Sequence, residues 1–94
     1  MLTVTGQAKR ELKNLLDQRN LGAGRCLRLA IPPAWTGPGD FGIVIDDEKS
    51  DDITVTLRGT KILLLSQQLA PQMSTSVLDY KDTPQGMGFT LDVY

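Results

Sequence analysis

Apolar residues recur at helical spacing near the start of this 94-residue chain, where Ala8, Leu12, Leu15 and Leu16 fall at i, i+4, i+7 and i+8. That is one stripe on a helix of 3.6 residues per turn. Thr5 is placed to cap such a helix. Asp17-Gln18-Arg19-Asn20 interrupts the stripe, and Gly22 and Gly24 can end the element, so a helix to Arg19 or Asn20 is predicted. An amphipathic helix is stable only against an apolar surface. The remaining residues must supply one.

They offer short strands. Cys26 to Ile31 alternates, with Leu27, Leu29 and Ile31 on one face. The next segment, Pro32 to Asp40, holds three prolines and two glycines and reads as a loop. Phe41 to Asp46 is the next strand, with Phe41, Ile43 and Ile45 as its core face, and the acidic turn Asp47 to Asp52 closes it. Ile53 to Leu57 alternates, and Arg58-Gly59-Thr60 turns it into Lys61 to Leu65, a hairpin with a more buried second strand. Ser66 is placed to cap a short helical turn through Ala70, with Pro71 limiting its length. Ser76 to Lys81 and Phe89 to Tyr94 are the last strands, joined by a loop from Asp82 to Gly88. The expected fold is α+β: a twisted, partly split, mixed or antiparallel β-structure of about six to seven strands, an N-terminal helix and a short second helix.

At this length the chain suits one domain, residues 1–94, since domains usually run to roughly 100 to 150 residues. Hydrophobic residues make up 40% and charged residues 22%, which suits a packed globule and neither disorder nor a disulfide scaffold. The clearest apolar runs, Phe41 to Ile45 and Ile62 to Leu65, are far below the roughly 20 residues that cross a bilayer, so no membrane partner is expected. The opening residues lack a basic segment followed by an apolar one, and a cytoplasmic location is the expectation. A single cysteine agrees with a reducing compartment.

The net charge of −1 is unevenly spread. Lys9, Arg10, Lys13, Arg19, Arg25 and Arg28 make the first 28 residues basic, whereas Asp40, Asp46, Asp47, Glu48, Asp51 and Asp52 make the middle acidic. A solvated basic helix face and an acidic turn account for this without a charged partner. Nucleic acid is not an expected partner, because the chain is slightly acidic overall and poor in stacking aromatics.

Several short segments, taken in order, resemble the A-type iron-sulfur cluster carrier (HesB-like) family over nearly the whole chain. They are Leu2-Thr3-Val4-Thr5 before the helix, Leu27-Arg28-Leu29, Asp51-Asp52 before an alternating strand, Gly59-Thr60-Lys61-Ile62, Leu69, Leu78-Asp79-Tyr80 and Gly88-Phe89-Thr90. The resemblance implies the HesB-like fold. It also implies three cysteine ligands for iron or a cluster, one in a loop after the first core strand and two in a C-terminal tail. Thiolates suit this task as soft donors, about four to a cluster. The loop ligand would fall near Pro38, and the tail would follow Tyr94; this sequence holds neither, and no histidine. No cofactor is therefore expected.

Among other candidates, Cys26 is a lone thiol outside the family's ligand positions and is expected to pack as a small apolar residue. The acidic turn lacks the spacing of a calcium-binding loop. With no histidine, no paired nucleophile and base, and no phosphate loop, an enzyme is not expected. Asp79 and Asp92 sit on strands expected to be neighbours, without a sign of a pocket. Trp35 in the Pro-Gly loop is the leading candidate for an interaction anchor, with Phe41 and Met87 as candidate neighbours. The expected function is thus a non-catalytic HesB-like scaffold acting by protein-protein interaction, with an iron-sulfur assembly component as partner. Two alternatives stay open: a carrier using Cys26 across a homodimer or ligands borrowed from a partner, and a small-molecule binder unrelated to iron-sulfur chemistry.

Overall fold

The computed structural model describes residues 2–19, 24–33, 35–37, 39 and 41–93. The expectations that Asn20 and Gly22 end the helix, that Pro38 stands at the loop-ligand position and that Tyr94 ends the last strand lie outside these residues, as does Asp40. The order of elements is β1 (Thr3–Val4), α1 (Gly6–Arg19), β2 (Arg25–Ala30), β3 (Gly42–Asp47), β4 (Ile53–Leu57), β5 (Thr60–Leu65), a 3-10 turn (Ala70–Met73), β6 (Ser76–Thr83) and β7 (Gly86–Val93). The seven strands form two mixed sheets, ordered β3-β2-β5-β4 and β1-β6-β7. Within them β2 runs parallel to β5 and β1 parallel to β6, and the other pairs are antiparallel.

The helix begins where its cap was expected. Thr5 Oγ1 accepts the Ala8 N–H at 3.2 Å while its own hydroxyl donates to Asp79 on β6 at 2.6 Å. One side chain thereby caps the helix and ties it to the second sheet. Ala8 and Leu12 are fully buried, with Leu15 and Leu16 partly buried beside them. Their neighbours are Leu27 and Leu29 of β2, Val55 of β4, Ile62, Leu63 and Leu65 of β5, and Leu78 of β6. Each such side chain stabilises the fold by about 1.5–3 kcal/mol through removal from water.

Strand β5 lies between β2 and β4, and Ile62 to Leu65 are wholly buried, as the unbroken apolar run predicts. Alternation and register place Leu27, Leu29, Val55, Leu63 and Leu65 toward the helix. Cys26, Arg28, Ala30, Gly42, Val44 and Leu64 face the other way. The β4–β5 turn is Arg58-Gly59, with φ of 53° and 82°, the left-handed pair that matches the twist of a tight hairpin.

Three local expectations need correction, and one short strand is added to them. Ile45, expected in the core, is 39% exposed, because β3 is an edge strand and α1 packs over β2, β4 and β5. The turn after β5 is displaced: Ser66 Oγ accepts the Leu69 N–H at 3.1 Å, but the 3-10 turn starts at Ala70 and contains Pro71. Proline fits there because a first helical turn does not use its N–H. The residues expected to form a loop between the last strands are largely strand, and only Pro84 and Gln85 separate β6 from β7. Thr83 Oγ1 closes this turn by donating to the Gly86 carbonyl at 2.5 Å and accepting the Gln85 N–H at 3.2 Å. Finally, Thr3–Val4 forms the extra strand β1, too short to show alternation but paired with Val77 and Leu78.

Candidate functional site

Arg28 is the charged residue that β2 carries between Leu27 and Leu29, on the sheet face turned away from the helix. A guanidinium in that position must find anions. It finds them in the turn after β3. Nη1 donates to Asp52 Oδ1 at 2.8 Å and Nη2 to Asp52 Oδ2 at 2.5 Å, a two-pronged pair, and Nη2 also reaches the Asp47 carbonyl at 3.2 Å. Nε lies 2.8 Å from Asp46 Oδ2, but its N–H is not aligned on the oxygen, so this is charge proximity without a hydrogen bond. The Asp52 side chain is 1% exposed and that of Arg28 11%. The Lys49 N–H adds a bond to Asp52 Oδ2 at 2.7 Å.

Asp46, Asp47 and Glu48 of the acidic segment have cationic partners as well. Arg25 meets Asp47 at 3.3 Å, Lys61 meets Glu48 at 2.8 Å, and Lys49 lies 3.6 Å from Asp46. The turn is thus a clasp that fastens β3 and β4 to β2 and β5. Its chemistry follows. The hydrogen bond from Arg28 holds the Asp52 carboxyl below the usual carboxylate range, and the Asp47 N–H does the same for Asp46. Both acids raise the pKa of Arg28, led by the Asp52 hydrogen bond.

Beside the clasp is an open cleft of about 610 Å³. Ala30, Ile31, Pro32, Pro33 and Leu69 give it apolar walls, and Gln67, Gln68 and Gln72 bring amides from the segment after β5. Arg28, Asp46 and Asp52 form its charged end. Such a mixture of apolar wall and a few polar groups is what binding clefts use. The Arg28–Asp52 pair is not among the sequence-based expectations. The available signal was an arginine inside an alternating apolar strand, which needs a partner from elsewhere in the chain.

Trp35 folds back onto the sheet. Its N–H bonds the Ile31 carbonyl at 2.9 Å, closing a tight turn, and the half-buried indole lies against Gly42 and Gly37. A Cβ at either glycine would overlap the ring. Phe41 is half-buried and packs against the core, next to Gly42. Met87 is 59% exposed near the β6–β7 turn, opposite Asp82 in the other sheet. The structure therefore brings Trp35 and Phe41 to one strand end, with Met87 on a separate sheet.

Cys26 is buried in β2, 5% exposed, with its thiol 3.5 Å from the Lys61 carbonyl. Burial pushes its pKa up, which disfavours the thiolate needed for metal binding. Among the described residues, no three or more His, Cys, Asp or Glu side chains are grouped to hold a metal ion. The donor set in these 94 residues, one buried thiol and no histidine, does not fit an iron-sulfur cluster. Asp79 and Asp92 share a face of the β6–β7 pair, but Asp79 bonds Thr5 and Asp92 pairs with Lys81 at 3.2 Å. The Thr5 hydroxyl lowers the Asp79 pKa, with the Tyr80 N–H contributing. Among the described residues, no helix is long and apolar enough to cross a membrane.

No protein-family model matches the chain. Protein Rv2204c of Mycobacterium tuberculosis is 31% identical over 93 residues, covering 95% of this chain and 75% of that protein. Protein Mb2227c of Mycobacterium bovis matches to the same extent. Among solved structures, Escherichia coli SufA, involved in biosynthesis of iron-sulfur clusters, superposes with a TM-score of 0.66 at 22% identity, over 98% of this chain and 84% of that one. A protein from Aquifex aeolicus gives 0.65 at 23% identity, over 99% and 91% of the two chains. IscA with its 2Fe-2S cluster gives 0.61 at 20% identity, over 99% and 82%. The chain belongs to one family with Protein Rv2204c and has the A-type, HesB-like carrier fold, while its 94 residues lack the cysteine ligand set of those carriers.

Proposed function

We propose that this protein is a non-catalytic HesB-like scaffold that acts as an accessory or interaction protein in iron-sulfur cluster biogenesis, without cluster ligands of its own. One observation carries the reading: a fold shared with SufA and IscA, in which the single thiol is packed into β2 with its pKa raised. A scaffold without a ligand set retains its surfaces as the means of action, and an assembly component is the natural partner. Met87 offers the exposed apolar contact in this reading, and Trp35 and Phe41 shape the loop end of the sheet.

Anaerobic incubation with iron and sulfide tests the first half. No stoichiometric visible absorbance should develop; absorbance that disappears in Cys26→Ala would overturn it. Pull-down from the native cell tests the second half. An iron-sulfur assembly component should be recovered, and recovery should weaken in Met87→Glu or Trp35→Ala. Unchanged recovery in both variants removes these residues from the interface.

A further inference from the structure

We propose that the groove between α1 and the β4–β5 turn binds an acidic peptide segment of a partner protein. Gly6, Arg10, Lys13 and Asn14 on one strip of the helix, with Leu57 and Arg58 opposite, line a depression of about 380 Å³. Three cations line it, and among the described residues no carboxylate does. The groove is separate from the cleft beside the clasp, and its occupant does not depend on the iron-sulfur assignment.

The contrast with the rest of the surface is informative. Arg25, Arg28, Lys49 and Lys61 are each matched by an acid of the β3–β4 turn. Arg10 and Arg58 have no ion-pair partner among the described residues, and Lys13 is paired only with exposed Asp17 of its own helix. Lys9 and Arg19 likewise have no ion-pair partner among the described residues, but they do not line the groove; Arg10 and Arg58 are the unmatched cations that do. Arg58 also occupies a left-handed position, φ 53°, where a side chain is disfavoured and Asn, Asp or Gly is the usual choice. Arg58 is therefore held there against the local preference of the turn.

The ligand class follows from the lining. Guanidinium groups recognise carboxylates in two-pronged geometry. Leu57 gives a half-buried apolar floor that can meet an aliphatic neighbour of the acid. Among the described residues no aromatic side chain lines the groove to stack a base, and the net charge of −1 does not attract a long polyanion. A short peptide with acidic residues beside an aliphatic one fits these features better than nucleic acid or free phosphate.

The experiment is an anisotropy titration of the intact chain against a dye-labelled octapeptide of Glu pairs separated by Leu, with a Gln-for-Glu peptide as control. The Glu peptide should bind and weaken as salt rises. Inorganic phosphate and oligo-dT should fail to displace it. Arg10→Gln and Arg58→Gly should each weaken binding by roughly tenfold. Arg58→Gly should melt no lower than the parent, since glycine suits the turn, so its loss of binding is separable from unfolding. Equal binding of the two peptides, displacement by phosphate or oligo-dT, or unchanged affinity in both variants would overturn the proposal.

Discussion

Asp52 shows how much of this molecule depends on single charges placed by register. Its carboxylate is 1% exposed and receives two donors from Arg28 and one from the Lys49 backbone. Asp52→Asn would leave a largely buried guanidinium without its main counter-charge, at a cost of about 3 kcal/mol. Asp46 at 2.8 Å limits the damage. Urea unfolding near neutral pH measures this. The pH dependence has a definite sign. Asp46, Asp52 and Asp79 all have lowered folded pKa values, so their contribution is complete above the unfolded value of about 3.9 and is lost as pH falls through the lowered values. Stability should therefore drop on acidification below about pH 4, and the drop should be shallower in Asp52→Asn. Cys26 gives an independent residue-level test: a disulfide exchange reagent should label it slowly in the native protein at neutral pH and fully in urea, because burial shields the thiol and raises its pKa. Rapid native labelling would contradict its packing. The Thr5 cap was legible because capping is local; the Arg28–Asp52 pair was not, because 24 residues separate its members and only strand register joins them.

At the scale of elements, the loop between β2 and β3 is organised around one indole. Trp35 lies against Gly37 and Gly42, and a methyl at position 42 would occupy the ring's place. Gly42→Ala should expel the indole, lower stability by about 1–3 kcal/mol as overpacking does, and shift the emission of this single tryptophan to the red. An unchanged spectrum would mean that the ring does not depend on the glycine slot. The sequence exposed the loop through its prolines and glycines but not the seat of the tryptophan, which requires Gly42 to sit opposite Ala30 on the right face of β2–β3. The strands show the same division. Alternation located β2 and β4 and an unbroken apolar run located β5, whereas β1 has two residues and no pattern to read. The Pro-Gly cluster before β7 suggested a longer loop than the two-residue turn that a hairpin needs. Residue chemistry marks where chain direction changes, and pairing decides how many residues the change uses.

For the whole molecule, the question is whether two sheets unfold as one unit. Among the described residues, strand pairing stays within each sheet, yet the buried cluster runs from Leu27 and Leu63 through Ala8 and Leu12 to Leu78 without a break. The Cα radius of gyration is 12.6 Å, against about 12 Å for a compact domain of this length. Helix α1 contacts β2, β4 and β5 of one sheet and β6 of the other, so it is the physical link between them. Truncating its fully buried Leu12 to Ala should cost about 2–5 kcal/mol through lost burial and a residual cavity. Trp35 fluorescence reports the sheet that carries β3, and the Tyr80–Phe89 pair, 4.9 Å apart across β6 and β7, gives a near-ultraviolet dichroism signal for the other. Both probes should follow one transition in the parent protein and move together in Leu12→Ala. Two separated transitions, or a shift confined to one probe, would show that the sheets are independently stable and that α1 rests on them without joining them.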